Sequence, residues 1–252
     1  MTDQAIRVTI WNEYRDEKEE VAAQVTYPDG IHAVLATVFS GDDRFVVRTA
    51  TLDEAEAGLG GDVLDNTDVL FWWGHKAHDQ VPEGIARRVQ HRVLEGMGFV
   101  PLHSAHFSRP FKLLMGTHCS LRWRRIGEHE RVWNLAPAHP IAFGLGDYFE
   151  LDASEMYGER FDIPEPDQTI FISWFAGGEV FRSGCAWQRG NGRVFYFSPG
   201  DQAYPIYYAE PVRRVLLNAA LWCAQTVRIP FAVPNIAQPI EAVTLRRPAG
   251  AP

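Results

Sequence analysis

Residues 98–106, Gly-Phe-Val-Pro-Leu-His-Ser-Ala-His, decide the fold. The apolar run 98–102 reads as a buried strand closed by a turn that carries two histidines. Gly96 and Gly98 end a helix-like segment before it, and residues 107–115 read as another short helix. Pro110 falls in the first turn of that helix, where its missing N–H costs nothing. Strand, tight turn and helix in this order form the unit of an α/β sheet, whose turns gather at the carboxyl ends of the strands where ligands bind. His103 and His106 are therefore expected to point into a cleft.

Working back from this stretch, residues 6–11, 45–50 and 68–73 read as further strands, the last (DVLFWW) apolar throughout as if covered on both faces. Between them lie an amphipathic helix over 31–39, a weakly helical or irregular stretch over 52–64, and a helix over 82–95 with Ile85, Val89 and Val93 at four-residue spacing. Residues 16–20 read as a charge-rich, solvated segment. This alternation predicts a parallel, doubly wound sheet.

Working forward, the texture changes after Gly116. Short runs at 120–126, 130–135, 148–156, 169–175, 179–187 and 193–198 follow one another between Gly, Pro and Asn, with a hairpin turn expected at 176–178. These predict antiparallel strands added to the sheet. Residues 212–223 form a last amphipathic helix, and the proline-rich stretch from 229 is expected to be an irregular tail. No repeat or linker divides the chain, so a single domain over 1–252 is expected, with its core at about 6–225.

The bulk numbers exclude some classes. A net charge of −8 without a basic block argues against a nucleic-acid partner. No apolar run approaches the ~18 residues of a membrane span, and no cleavable signal opens the chain. The three cysteines, Cys119, Cys185 and Cys223, are odd in number and widely spaced, so reduced thiols and a cytoplasmic location are expected. Of the aromatic residues, Trp72, Trp73, Trp174 and Tyr204 suit a sugar-stacking wall, but core packing is the expectation for the three tryptophans.

Unusual polar residues fall at the same predicted edge: Asn12 and Glu13, His32, His75 with His78 and Asp79, and His103 with His106. Neutral imidazoles with carboxylates suit a divalent metal such as Zn, and His32, His75, His103 and His106 are the expected ligands. The competing readings are local hydrogen bonding by each histidine, or acid–base work without a metal. Glu155-Met-Tyr-Gly-Glu159 adds two carboxylates and the Tyr157 phenol. Residues 177–184 read as a tight hairpin, and 198–202 as a strand-end turn.

Taken together, these phrases resemble the trehalose-utilisation (ThuA-like) family, a branch of the class I glutamine-amidotransferase-like fold. The matching stretches are Trp11-Asn-Glu-Tyr14, Tyr27-Pro-Asp-Gly-Ile-His32, Trp72-Trp-Gly-His75 with Ala77-His-Asp79, Leu102-His-Ser-Ala-His-Phe-Ser108, Glu155–Glu159 and Gly177-Gly-Glu-Val-Phe-Arg-Ser-Gly184. The resemblance implies a flavodoxin-like three-layer sandwich, mostly parallel with added antiparallel strands. It also implies a role in catabolism of trehalose or related disaccharides.

The amidotransferase relatives carry a nucleophilic cysteine on the strand–turn–helix elbow. Its position here corresponds to His103, with Ser104 beside it, so thiolate chemistry is not expected. Where similar sequences show Pro-Gly-His-Glu after the late strand, this chain has Pro199-Gly200-Asp201-Gln202.

The resulting expectation is an enzyme acting on a sugar or oxidised sugar derivative, assisted by a metal held by the four imidazoles above, with no nucleotide cofactor. His103, Glu155 and Glu159 are the expected catalytic groups. Asn12, Glu13, Trp73, His78, Tyr157, Glu179, Arg182 and Asp201 are the expected substrate contacts. The alternative is a non-catalytic sugar-binding or partner protein. A hydrolase using Ser104 lacks the Gly-x-Ser-x-Gly context. A homo-oligomer is compatible with all of these.

Overall fold

The five residues of β3 (Val69–Trp73) are all buried, which requires cover on both faces of the sheet. A computed structural model describes residues 5–224, 235–239 and 241 and shows how that cover is built. β1 (Ile6–Asn12), β2 (Phe45–Thr51), β3 and β4 (Gly98–Leu102) pair in parallel, so the three strands expected to share a sheet do so. Helix α3 (Ile31–Ala36) and the last helix, α7 (Glu210–Cys223), cover one face. Helices α4 (Gly61–Asp65), α5 (Glu83–Glu95) and α6 (Arg109–Met115) cover the other. The earlier short helices α1 (Asp16–Glu19) and α2 (Val21–Thr26) follow β1 at the carboxyl edge. The period-2 alternation of a strand divides the core: Ile10, Phe71 and Trp73 face α3 and α7, while Trp11, Leu70 and Trp72 face α4 to α6.

The second half of the chain extends the sheet through β5 (Arg122–Asn134), β6 (Tyr148–Gly158), β7 (Gln168–Phe175), β8 (Val180–Arg189) and β9 (Gly192–Phe197). The full order is β2-β1-β3-β4-β9-β8-β7-β5-β6. β9 joins β4 in parallel, and every pair beyond it is antiparallel. The sheet is thus parallel at one end and antiparallel at the other, the expected parallel sheet with antiparallel strands added from the second half of the chain.

Three local expectations need correction. The runs at 120–126 and 130–135 are one strand, β5, with register shifts at residues 124–130 and Gly127 at φ 74°. A glycine that tolerates positive φ lets the strand bend there without ending. The charge-rich segment at 16–20 is not fully solvated: α1 buries Asp16 and Glu17, each held by polar partners. Trp174 lies on the outer face of the antiparallel wing, 36% exposed, while Trp72 and Trp73 are core as expected. At α6 the sequence signal holds well: Ser108 caps the helix by accepting from Phe111 N, and Pro110 sits in the first turn. Of the tail expected from 229, residues 235–239 and 241 are irregular chain; the rest lies outside the described residues.

Candidate functional site

β4 delivers His103 at its carboxyl end in the left-handed region, φ 50°. A non-glycine residue there stores about 1–2 kcal/mol of backbone strain and needs surroundings that enforce it. Those surroundings are specific. The imidazole is sandwiched between the Trp73 indole (5.5 Å, 7° between planes) and the Tyr157 phenol (4.7 Å, 9°). Nδ1 lies 3.0 Å from the Ser198 carbonyl, which can only accept, so Nδ1 carries a proton. Nε2 then faces Glu155 Oε2 at 2.9 Å and the Tyr157 hydroxyl at 3.2 Å. Ser104 Oγ bonds the same hydroxyl at 2.8 Å. A Cβ at Gly200 would run into the Tyr207 hydroxyl and lie 2.8 Å from His103 Cβ, so only glycine lets the 198–202 turn close over the imidazole.

A cavity of about 570 Å³ opens in front of this group. Glu155, Tyr157, His75, His78, His106, Arg125 and Gln202 line it, and His103, 1% exposed, stacks behind the Tyr157 ring. At the mouth stand Trp123, 66% exposed, and Phe107, 42% exposed. An apolar ring surface beside convergent hydrogen-bonding groups is the chemistry that holds a sugar ring.

Charge is arranged to keep Glu155 an ionised carboxylate. Burial alone would raise its pKa, but the His103 hydrogen bond and charge, with the charges of His75 and Arg125, outweigh it and lower the pKa below the usual value. Tyr157 stays a neutral phenol, since burial and the Glu155 charge push its pKa well up. Burial and the neighbouring His75 and Lys112 charges bring His78 down to about 4, and burial brings His106 down to about 3. Both are neutral at physiological pH. His75 behaves oppositely. Burial works against its charge, but the Asp16 carboxylate, 2.8 Å from Nδ1, and the charges of Glu155 and Glu13 raise its pKa.

The expected site residues therefore separate. His75, His78, His106, Glu155 and Tyr157 line the cavity, with His103 and Trp73 directly behind. Asn12 and Glu13 are spent on shaping the edge. Asn12 donates to Glu17, and Glu13 accepts from Lys76 N at 2.8 Å and Ala77 N at 2.9 Å, fixing the loop that presents His75. His32 accepts from Asn12 through Nδ1 at 3.0 Å and packs edge-on against Tyr14, away from the cavity wall. Glu159, Glu179 and Arg182 are not on the wall either. Arg182 forks onto Glu159 (2.8 and 3.0 Å), and Glu179 receives the Arg124 fork (2.9 Å twice). Both pairs tie the wing together. Trp123 and Arg125 were missed, because the bend at Gly127 left only a short, ambiguous run in the sequence; Gln202 was singled out as part of the strand-end turn but not as a site residue.

The four-imidazole metal site is not formed. Among the described residues, the group whose ligand atoms lie within 4.8 Å of one another is His103, Glu155 and Asp201, which shares only His103 with the expectation. In this structure the members of the set are engaged with protein partners: His103 Nε2 lies at hydrogen-bonding distance, 2.9 Å, from Glu155 Oε2. Asp201, fully buried, already accepts from Arg125 Nε and Nη2 and from the Ala203 and Tyr204 amides.

Comparison with known proteins places this arrangement. No match to a curated protein sequence was found. Solved structures that share the fold include the following three. A ThuA-like protein from Parabacteroides merdae has TM-score 0.64 and 16% identity, covering 92% of this chain and 94% of that one. A ThuA-like protein from Bacteroides uniformis has TM-score 0.62 and 16% identity, covering 87% and 91%. The cytoplasmic protein STM1381 from Salmonella typhimurium has TM-score 0.60 and 11% identity, covering 87% and 100%. Among the described residues no helix is long and apolar enough to cross a membrane. The family model for trehalose utilisation matches residues 7–223: the chain belongs to the ThuA family.

Proposed function

We propose that the protein is an enzyme of sugar catabolism that moves a proton on an oxidised sugar, with Glu155 as the base. The observation that carries this reading is the buried Glu155–His103 pair, with His103 held at φ 50° on the elbow, beside a cavity of about 570 Å³ that Trp123 and Phe107 line. Glu155 takes a proton from the carbon beside a sugar carbonyl. The carbonyl oxygen gains the negative charge as an enolate, and the proton returns at the neighbouring carbon or oxygen, so the step is redox-neutral. His103 is a positioning residue: held by Ser198, it keeps the carboxylate ionised and oriented. His75 and Arg125, both lining the cavity, bring positive charge to the developing enolate oxygen.

A thiol reaction is disfavoured on the same geometry, because the Cys119 thiol is buried and pushed up to about 11 by desolvation. Ser104 is paired with a phenol rather than a base. The buried free thiols and the Salmonella neighbour described as cytoplasmic support a cytoplasmic location.

The test is solvent exchange. Trehalose, other disaccharides and their ketone derivatives are incubated with the protein in D2O and followed by NMR. Deuterium incorporation beside the carbonyl is expected, falling about 100-fold or more in Glu155→Gln. Undiminished exchange in that variant overturns the assignment. Binding without exchange for every compound would favour the sugar-binding alternative, which the absent elbow cysteine supports.

A further inference from the structure

Asp201 and Gln202, on the turn after the last strand, act on one group. Both grip the Arg125 guanidinium. Asp201 receives Nε on Oδ2 at 3.0 Å and Nη2 on Oδ1 at 3.2 Å. With the Gln202 amide turned as its hydrogen-bonding neighbours demand, its oxygen accepts from Nη1 at 3.2 Å and Nη2 at 3.1 Å. A histidine at 201 would offer the fork at most one acceptor nitrogen, and no planar carboxylate. The Asp-Gln pair and the arginine are a matched set.

The position of that guanidinium is informative. Asp201 is one of three residues whose potential ligand atoms cluster within 4.8 Å, the others being His103 and Glu155. Two buried carboxylates in such a cluster need compensating positive charge, which a divalent cation or a protein cation can supply. Arg125 supplies it to Asp201 through an ion pair at 3.0 Å, while Glu155 Oε2 meets His103 Nε2 at 2.9 Å. Backbone amides of Ala203 and Tyr204 occupy the remaining acceptor capacity of Asp201 Oδ1.

We infer that Arg125 stands in for a divalent cation at the His103–Glu155–Asp201 cluster, so that this protein's site works with a built-in cation and no metal. The guanidinium lies on the cavity wall, where a fixed positive charge can stabilise a substrate oxygen without a metal's ligand exchange. This holds whatever the sugar and whatever the reaction, so it stands or falls separately from the proton-transfer proposal.

Metal binding by untagged protein tests it directly. Metal content is measured by elemental analysis, and Zn2+ and Mn2+ are titrated by calorimetry into wild type, Arg125→Ala, Arg125→Lys and the double variant Arg125→Ala/Asp201→Asn. Wild type and Arg125→Lys are expected to carry no stoichiometric metal. Arg125→Ala should gain one equivalent, at least about 100-fold tighter than wild type once the like charge is gone. The double variant should lose it again.

If Arg125→Ala is too unstable to titrate, a rise in its melting temperature with Zn2+ or Mn2+, missing in the double variant, is the same expected result. Stoichiometric metal in wild type that is lost in Asp201→Asn overturns the inference. So does an Arg125→Ala protein that gains no metal and shows no thermal shift.

Discussion

His103→Ala is the perturbation whose size can be worked out most fully. The sequence suggests a turn residue that contributes little core, yet the imidazole is 1% exposed and fills the slot between Trp73 and Tyr157. Removing it leaves the Glu155 carboxylate buried without its closest partner. Breaking a buried pair from one side costs about 3–5 kcal/mol. A protein of this kind has only about 5–15 kcal/mol in total. The expected loss at pH 7 is therefore about 3–4 kcal/mol, bounded because the carboxyl can take up a proton instead.

That bound gives the pH dependence its sign. In wild type the Glu155 pKa is lowered, so its stabilisation is present above the unfolded value of about 4.3 and is lost as pH falls through the folded value. In the variant burial prevails and the folded pKa rises, so stability is lost as pH climbs through it. The gap between the two proteins is then largest at neutral pH and narrows below about pH 4.5. Urea unfolding followed by circular dichroism at pH 7.5, 6 and 4.5 measures it. His103→Gly should recover about 1 kcal/mol relative to Ala, since φ 50° costs glycine nothing. A loss below about 1 kcal/mol, or an equal loss at all three pH values, would refute the reasoning.

Two further outcomes are expected beside the Glu155→Gln exchange and Arg125 metal experiments. Trp123→Ala should weaken sugar binding about tenfold by calorimetry while stability changes by less than about 0.5 kcal/mol, because the indole is exposed at the cavity mouth; unchanged affinity would remove it from the site. Cys119, Cys185 and Cys223 should resist a thiol reagent in the native protein and all react once unfolded, because each is buried and its pKa is raised by desolvation; fast labelling of native protein would contradict this burial.

The sequence by itself determined the parallel half of the sheet and the elbow. Strands such as 68–73 and 98–102 are buried on both faces, so hydrophobicity alone marks them, and the turns after them must share one edge. That sufficed to bring His75, His103 and His106 to one place, with Glu155 and Tyr157 added from the resembling phrase. What the side chains do there was not legible. Four histidines at one predicted edge look like a metal set until tertiary structure shows each ring's partner: Asn12 for His32, Asp16 for His75, Ser198 and Glu155 for His103, Cys119 O for His106.

The antiparallel half was the weaker reading, and there the tertiary structure decided most. Ion pairs such as Arg182–Glu159 and Arg124–Glu179 join residues far apart in the chain, so nothing local separates a wing tie from a substrate contact. Arg125 shows the limit best. It lies on an exposed-looking run of β5, 76 residues from its partner Asp201, and only the bend at Gly127 and the closure of the 198–202 turn bring them together. Periodicity records which face of an element is apolar; it holds no information about which distant charge a polar side chain will meet.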